Sequence, residues 1–491
     1  MSIDLTLERI GHLANQFPYT RPTIHVAGTN GKGSVTSLLA SILRASALKV
    51  GKFNSPHLVS VYDCITINDE RVTPELYHSC RTQVECADEE CNSGASSFEL
   101  LTVTALVIFE KANVDVAVIE VGMGGRLDAT NVLPDHCILA SALTTVDLDH
   151  QTILGDTVEL IAREKAAIAR GGKPFILGPQ KHSSVRSNVE EIVLRRSGVI
   201  IPSIPVKPWA GGVDHSPHSL SARPFVPPLG QPIEFASDAF TSPVRAILPL
   251  YGAHQLDNLS VALTVISTLL THPSSFTLLS RDHLRGITIE TVRTGIENTS
   301  WPGRLSFHTL PHPITLASTR DPLVVLVDGA HNPASAEALA SYISSVAMHG
   351  QSCVQMLHIT YILALSHSPP KTPLQTLSPL LSLHSPSGSA TVSVGVLRFT
   401  PPEGMPWVKS VSPSVLRDTV VGLSPHTHVW VAQDDAPLDG QLQQALEWAE
   451  SQTSKCQDEG REHLVVLAGS LYLVADFYRL IERLVASTFQ A

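Results

Sequence analysis

The chain has 491 residues, too many for one ordinary core, and 43% of them are apolar, enough to build more than one. Its 34 Lys+Arg against 45 Asp+Glu leave a formal charge of −11, which argues against nucleic acid as a partner and against a polybasic membrane contact. Only 16% of residues are charged, 34 are proline, and no apolar run is long enough to span a bilayer, so long neutral loops are expected and a membrane is not.

The opening stretch reads as an amphipathic helix through Leu5, Ile10 and Leu13, and with Asp4 and Glu8 it lacks the features of a signal or transit peptide. From Thr23 onward, short apolar runs alternate with helical ones. Thr23–Ala27 is a predicted strand and Val35–Leu43 a predicted helix. Val114–Ile119, Cys137–Thr144 and Lys173–Leu177 are continuous, buried-type strands, with a helix over Val158–Ala169. This alternation predicts a parallel sheet covered by helices. Residues 203–243, rich in Pro, Ser and His, read as a surface excursion without regular elements. Order resumes at Ala246–Tyr251 and a helix over Leu256–Leu270. A boundary is expected near Trp301–Arg304, giving domains 1–300 and 301–491. The second contains predicted strands Leu323–Val327, Ile359–Leu365, Ser393–Leu397, Thr427–Val431 and Leu464–Leu467, and helices Ser335–Ala347 and Leu471–Leu484. Residues 367–390 read as a low-complexity loop. The seven cysteines are scattered without CxxC spacing, as expected of reduced thiols in a cytoplasmic protein.

The strongest chemical signal is Gly28-Thr29-Asn30-Gly31-Lys32-Gly33-Ser34, between a predicted strand and a predicted helix. Backbone N–H groups and a helix N-terminus can cradle a phosphate there, glycines allow close approach, and Lys32 adds a point charge. A glycine stands between Lys32 and Ser34, which makes it a variant of the G-x-x-x-x-G-K-[ST] loop. Glu120, at the end of a predicted strand and followed by a glycine-rich stretch, is placed to bind magnesium. His150 reads by itself as a surface histidine and Lys165 as a solvated helix cation. Asp328-Gly329-Ala330-His331 and Gly469-Ser470 each follow a strand, where open α/β sheets bind ligands; capping explains Gly469-Ser470 equally well and the Asp328 stretch less well. Arg304 is a candidate phosphate contact.

Together these residues resemble the folate branch of the Mur ligase superfamily, the dihydrofolate synthases and folylpolyglutamate synthases. GTNGKGS, SPHL, SSFELLT, EVGMGGRLDATN, LDH, EKAAI, HQLDN, WPGR, DGAHNP and GSLYL occur in the family's order over nearly the whole chain. The resemblance implies an α/β protein whose N-terminal domain is a P-loop, ATPase-like Mur ligase central domain with a parallel sheet. A smaller Rossmann-like α/β domain would follow.

It implies that ATP phosphorylates a pteroate carboxylate, that L-glutamate attacks the acyl phosphate, and that ADP and phosphate leave. The resemblance assigns Gly28, Thr29, Asn30, Gly31, Lys32, Gly33 and Ser34 to the phosphates, and Asn258, Arg304 and Asp328 to the rest of ATP, lying between the domains. Ser55, Glu120 and His150 would hold Mg2+, and a carbamylated Lys165 a second Mg2+; K+ is a further implied ion. Ser96, Ser97, Phe98, Glu99, Leu127, Asp128 and Ala129 would face the pteroate, and His331 and Ser470 the incoming glutamate. Lys32, Lys165 and His331 are the catalytic candidates.

Two stretches depart from the family pattern. Tyr62-Asp63-Cys64-Ile65 stands where the family often has Arg-Glu-Arg-Ile, and Ala364–Lys371 where it often has a Lys-Asp pair. With Asn30 and LDATN the chain resembles the dihydrofolate synthases more than the eukaryotic folylpolyglutamate synthases, which implies dihydropteroate as the substrate, with polyglutamylation or a bifunctional enzyme as the alternatives. A phosphate-loop ATPase without ligation is the distant alternative. A muropeptide ligase is disfavoured, because little chain precedes the first strand. The partners expected are small molecules acting on a monomer.

Overall fold

The computed structural model describes residues 6–212, 220, 225–310, 323–349, 357–382, 390–403, 405, 407–458 and 461–488. The chain divides into two compact units. One comprises residues 1–213, 230–249 and 254–300; the other comprises 214–229, 250–253 and 301–491.

The first unit is built on eight strands: β1 (Thr23–Ala27), β2 (Val50–Phe53), β3 (Ile65–Ile67), β4 (Glu70–Arg71), β5 (Val116–Glu120), β6 (Ile138–Leu143), β7 (Pro174–Leu177) and β8 (Val199–Pro202). They lie in the order β4-β3-β2-β5-β1-β6-β7-β8. All neighbours from β2 to β8 are parallel, and β3 and β4 extend the edge antiparallel. Every residue of β1, β5 and β6 is buried, as expected when helices cover both faces of a parallel sheet. The helices Lys32–Ala45 and His254–Thr271 pack on each other and on the sheet. The helices Pro74–Cys91 and Ser97–Ala112 join a core with Phe53, Ile65, Ala117 and Ile119. Because β2, β5, β1 and β6 run parallel, their carboxyl ends share one edge, and the strand order reverses around β1.

Residues 203–243 do not lack regular structure, contrary to the sequence expectation. β9 (Lys207–Pro208), β10 (Gln231–Phe235) and β11 (Val244–Leu248) form an antiparallel sheet with Ile233, Phe235, Val244 and Leu248 buried. Prolines at strand edges masked the alternation. Residues 213–219 and 221–224 of that stretch lie outside the described residues.

The second unit carries β12 (Ser306–Leu310), β13 (Leu323–Val327), β14 (Leu357–Leu363), β15 (Ala390–Val396), β16 (His428–Val431) and β17 (Glu462–Ala468). Their order is β12-β13-β17-β14-β15-β16, with only the β12–β13 pair antiparallel. Its core joins Leu326, Ile359, Tyr361, Val394 and Val466 to the helices around them. The stretch read as a low-complexity loop contains the helix Pro373–Leu381, started by the Thr372-Pro373 pair and anchored by buried Leu377 and Leu380. Residues 383–389 lie outside the described residues.

Candidate active site

β1 ends at Ala27, and the chain turns through Gly28–Gly31 into the helix Lys32–Ala45. Gly31 has φ +89°, a left-handed conformation that favours glycine, and no side chain caps the helix there. A β-carbon at Gly31 would strike the carboxamide of Asn258, so this buried residue of the helix His254–Thr271 sits directly against the loop. Its carboxamide donates to Gln255 Oε1 at 2.9 Å. The other side of the loop is tied to the segment after β6. Thr29 and Asn30 N–H donate to Thr145 O at 2.9 and 3.3 Å, and the Thr144 hydroxyl donates to Asn30 O at 2.7 Å. Thr29 Oγ1 donates to Asp147 O and accepts from Asp147 N–H. The loop is thus preshaped by bonds that leave the first turn of the helix to an anion, with Gly33 and buried Ser34 in that turn.

Two lysines converge on this loop. Lys32 Nζ donates to the carbonyls of Gly28 and Thr29 at 3.2 and 3.3 Å and stands 3.9 Å from Glu120 Oε1. Lys165 is not the solvated cation that its helix suggests. It is buried, and its ammonium donates to Gly28 O at 2.8 Å. Burial lowers its pKa from the ordinary lysine range to about 7, Lys32 pushes it the same way, and Asp149 and Asp128 oppose the shift. Burial thus favours the neutral amine, the form that carbamate chemistry at this nitrogen requires.

Glu120, the last residue of β5, is buried with its Oε2 accepting from Asn54 Nδ2 at 2.6 Å. The β2–β5 register sets Phe53 beside Ile119, so Ser55 and Glu120 leave neighbouring strands at the same edge. Serine hydroxyl and carboxylate are the oxygen donors that Mg2+ prefers, and they fit such an ion. His150 is exposed, with φ +50° and its ring 4.0 Å from Asp149; an imidazole nitrogen suits Mg2+ less well. Among the described residues, no three His, Cys, Asp or Glu side chains cluster as a metal site.

The glycine-rich stretch after β5 wraps onto the helix that carries Lys165. A side chain at Gly125 would meet the Glu164 and Lys165 carbonyls, and Arg126 N–H donates to Glu164 O. Buried Asp128 organises the turn. Its carboxylate accepts from Met123 N–H at 2.7 Å and Thr130 N–H at 3.0 Å, while burial raises its pKa. Thr130 also meets His25 Nε2 at 2.8 Å. Ser96 and Glu99 are committed to a capping box that starts the helix Ser97–Ala112. Phe98 lies against Gly122 and stacks with Phe53. Ala129 is buried, Leu127 is half-buried and Ser97 is exposed.

In the second unit, the ends of β13, β14 and β17 meet. Gly469 N–H donates to Ala330 O, and a side chain at Gly469 would strike Ala364 O. Buried Asp328 accepts from Leu305 N–H at 2.9 Å and Ala330 N–H at 2.8 Å. Burial raises its pKa and the Arg304 guanidinium opposes the rise. Arg304 donates to Gly303 O at 3.0 Å and lies over Gly329. His331 Nδ1 is 2.9 Å from Gly329 O, and Ser470 Oγ accepts from Tyr472 N–H at the start of the helix Leu471–Thr488.

Asn54 was missed by sequence reasoning, because β2 is a four-residue strand containing Lys52 and gives almost no periodic signal. Its place, a polar residue immediately before SPHL, was the available clue. The departure at Tyr62–Ile65 is a folded turn. Val61–Cys64 form a 3-10 segment capped by Ser60 and Asp63, with Arg71 2.7 Å from Asp63 and Tyr62 Oη 3.0 Å from His78 Nε2.

The family model described as "Dihydrofolate synthetase, C-terminal domain" matches residues 314–480. The chain is 32% identical over 485 residues to a dihydrofolate synthetase of Saccharomyces cerevisiae, covering 98% of each chain. It is 30% identical over 368 residues to the dihydrofolate synthase/folylpolyglutamate synthase of Escherichia coli, covering 73% of each. Its fold is similar to that of a Mycobacterium tuberculosis folylpolyglutamate synthase solved with ADP and AMPPCP, at TM-score 0.72 and 25% identity over 97% of this chain and 95% of that one.

Proposed function

The chain belongs to the family of dihydrofolate synthetases and folylpolyglutamate synthases, and from that premise we propose that it ligates L-glutamate to 7,8-dihydropteroate with ATP, giving dihydrofolate, ADP and phosphate. The observation that carries this reading is the relationship to a dihydrofolate synthetase over 98% of both chains. The match to a bifunctional enzyme supports a second reading, in which the same site also extends reduced folates with glutamate.

In the first step a carboxylate oxygen of dihydropteroate takes the γ-phosphoryl group and ADP departs. In the second, the glutamate amine adds to the acyl carbon, and the tetrahedral adduct expels phosphate, leaving an amide and a proton. Both steps bring anions together, so positive charge and oriented N–H groups must offset their repulsion. The Gly28–Ser34 turn would take the phosphates through its backbone, with Lys32 beside them. Asn258, Arg304 and Asp328 would be the remaining ATP contacts. Ser55, Glu120 and His150 would hold Mg2+, which when bound neutralises phosphate charge.

Neutral Lys165 can add to CO2, forming an N–C bond and losing a proton. The resulting carbamate would replace a cation with an anion able to bind a second metal ion. Ser97, Phe98 and Leu127 would flank the pteroate, and His331 and Ser470 would lie near the glutamate. In this reading residues 1–300 carry the nucleotide machinery and residues 301–491 the glutamate side, in a cytoplasmic monomer with small-molecule partners and K+ as an accessory ion. The six described cysteines are free thiols, which suits a reducing compartment. Among the described residues, no helix is long and apolar enough to cross a membrane.

The test is ADP release with dihydropteroate, with and without L-glutamate, repeated with tetrahydrofolate. Glutamate-dependent turnover on dihydropteroate is expected. ADP formation indifferent to both substrates would overturn the ligase reading, and turnover confined to tetrahydrofolate would replace it with polyglutamylation.

A further inference from the structure

Asn54 is buried at the carboxyl end of β2, and its side-chain nitrogen makes two short contacts. It lies 2.6 Å from Glu120 Oε2 and 2.7 Å from Thr36 Oγ1. An ionised carboxylate only accepts, so the Asn54 amide must present its NH2 group to Glu120. Its second hydrogen then goes to Thr36, whose hydroxyl donates onward to Gly33 O at 3.0 Å. Asn54 is itself fixed, since its backbone N–H donates to Cys64 O at 2.9 Å. One amide therefore joins the phosphate-loop helix to the end of β5. It holds one oxygen of Glu120, while Lys32 stands 3.9 Å from the other.

We propose that Asn54 is a positioning residue: its NH2 group clips Glu120 Oε2 to Thr36 and so aims the remaining carboxylate oxygen at the divalent cation that accompanies the nucleotide. The inference rests on the reading of Glu120 as a magnesium ligand. Partners that orient a ligating carboxylate commonly matter to metal affinity nearly as much as the ligand does. A leucine at 54 keeps approximate volume and removes both donors. Thr36→Val removes only the far end of the clip.

The test uses the full chain without folate or glutamate, and measures ADP affinity by calorimetry in Mn2+ and in EDTA. In the unmodified protein Mn2+ should tighten ADP binding. Asn54→Leu should reduce that tightening roughly tenfold and leave the affinity in EDTA unchanged. Thr36→Val should reduce it by about threefold. Equal losses with and without metal, or an Mn2+ effect of normal size in the variants, would overturn the inference. Should Asn54→Leu show no thermal unfolding transition, Thr36→Val decides on the same criterion. An unmodified protein whose ADP binding ignores Mn2+ would defeat the reading of Glu120, and the clip with it.

Discussion

At the carboxyl edge of the first sheet, Lys32, Lys165 and Glu120 are charged groups gathered around one backbone turn, two of them pointed at the same carbonyl of Gly28. At the corresponding edge of the second sheet, Asp328, His331 and Ser470 are engaged with N–H and C=O groups of their own turns. The first edge brings charged groups into a buried site, where burial, with Lys32 pushing the same way, lowers the Lys165 pKa to about 7. The second edge uses a carboxylate, an imidazole and a hydroxyl to lock turns together. Loss of a side chain should therefore show first in turnover at one edge and first in stability at the other.

The sharpest test of that contrast is Lys32→Ala. It removes a cation from the phosphate site without leaving a buried donor unpaired. Turnover should fall on the order of 1000-fold, the scale seen when a positioned charge-stabilising group is lost. Glu120→Ala should lose as much, with both variants folded by circular dichroism. Near-normal rates in either would dissolve the distinction between the two edges.

Asp328→Ala reverses the pattern. It strands the N–H groups of Leu305 and Ala330 in a buried turn, at a cost on the order of 1–3 kcal/mol each. A urea titration should show the second unit's transition moving to lower denaturant. An unchanged midpoint would mean that the carboxylate is not structural.

A further effect, common to both units, is read by pH. His463, on β17, donates or accepts through both ring nitrogens, to Thr360 and Thr453 hydroxyls, and burial depresses its pKa to about 3. With the folded value below the unfolded one, the unfolded chain takes up the proton first as pH falls. Stability is full above the unfolded value and is lost on acidification toward the folded one, by about 2 kcal/mol at roughly pH 5 if the shift is fully expressed. His463→Gln should flatten the pH dependence of unfolding over that range. His25 in the first unit, also lowered to about 3 by burial, should act there in the same sense.

Legibility in the sequence followed burial. β5 and β13 are continuous apolar runs closed in on both faces, and their residues announce them. β2 is short and carries Lys52, and β12 is an edge strand in which Phe307 and Leu310 break alternation with Ser306, His308 and Thr309, so neither has a period to read. Helix Leu438–Asp458 was legible but unread, since Leu442, Ala445, Leu446 and Ala449 repeat at helical spacing. The phosphate loop was readable because its chemistry is local: strand, glycines, lysine and helix are consecutive. Lys165 was not, because its burial depends on Gly125 and Gly28 approaching from elsewhere in the chain. The position of Asn54 before SPHL was a clue to the residue but not to its role, which lies in touching Thr36 and Glu120 at once.

Gly329→Ala is the mildest test, and it asks whether the second edge does anything beyond holding itself together. Gly329 lacks a positive φ, so alanine imposes no backbone strain there. Its β-carbon would instead displace the Arg304 guanidinium, the mobile end of a long side chain, and press on Leu471. If Arg304 contacts ATP, the Michaelis constant for ATP should rise several-fold, the scale of about 1 kcal/mol, while kcat moves less. The Michaelis constant for dihydropteroate should stay near its normal value. Asp328→Ala would be expected to disturb stability and every kinetic constant together, whereas Gly329→Ala leaves both carboxylate bonds in place. A selective change for ATP would assign Arg304 a role in binding as well as in architecture. A loss of stability without one would return Arg304 to the turn that it already braces.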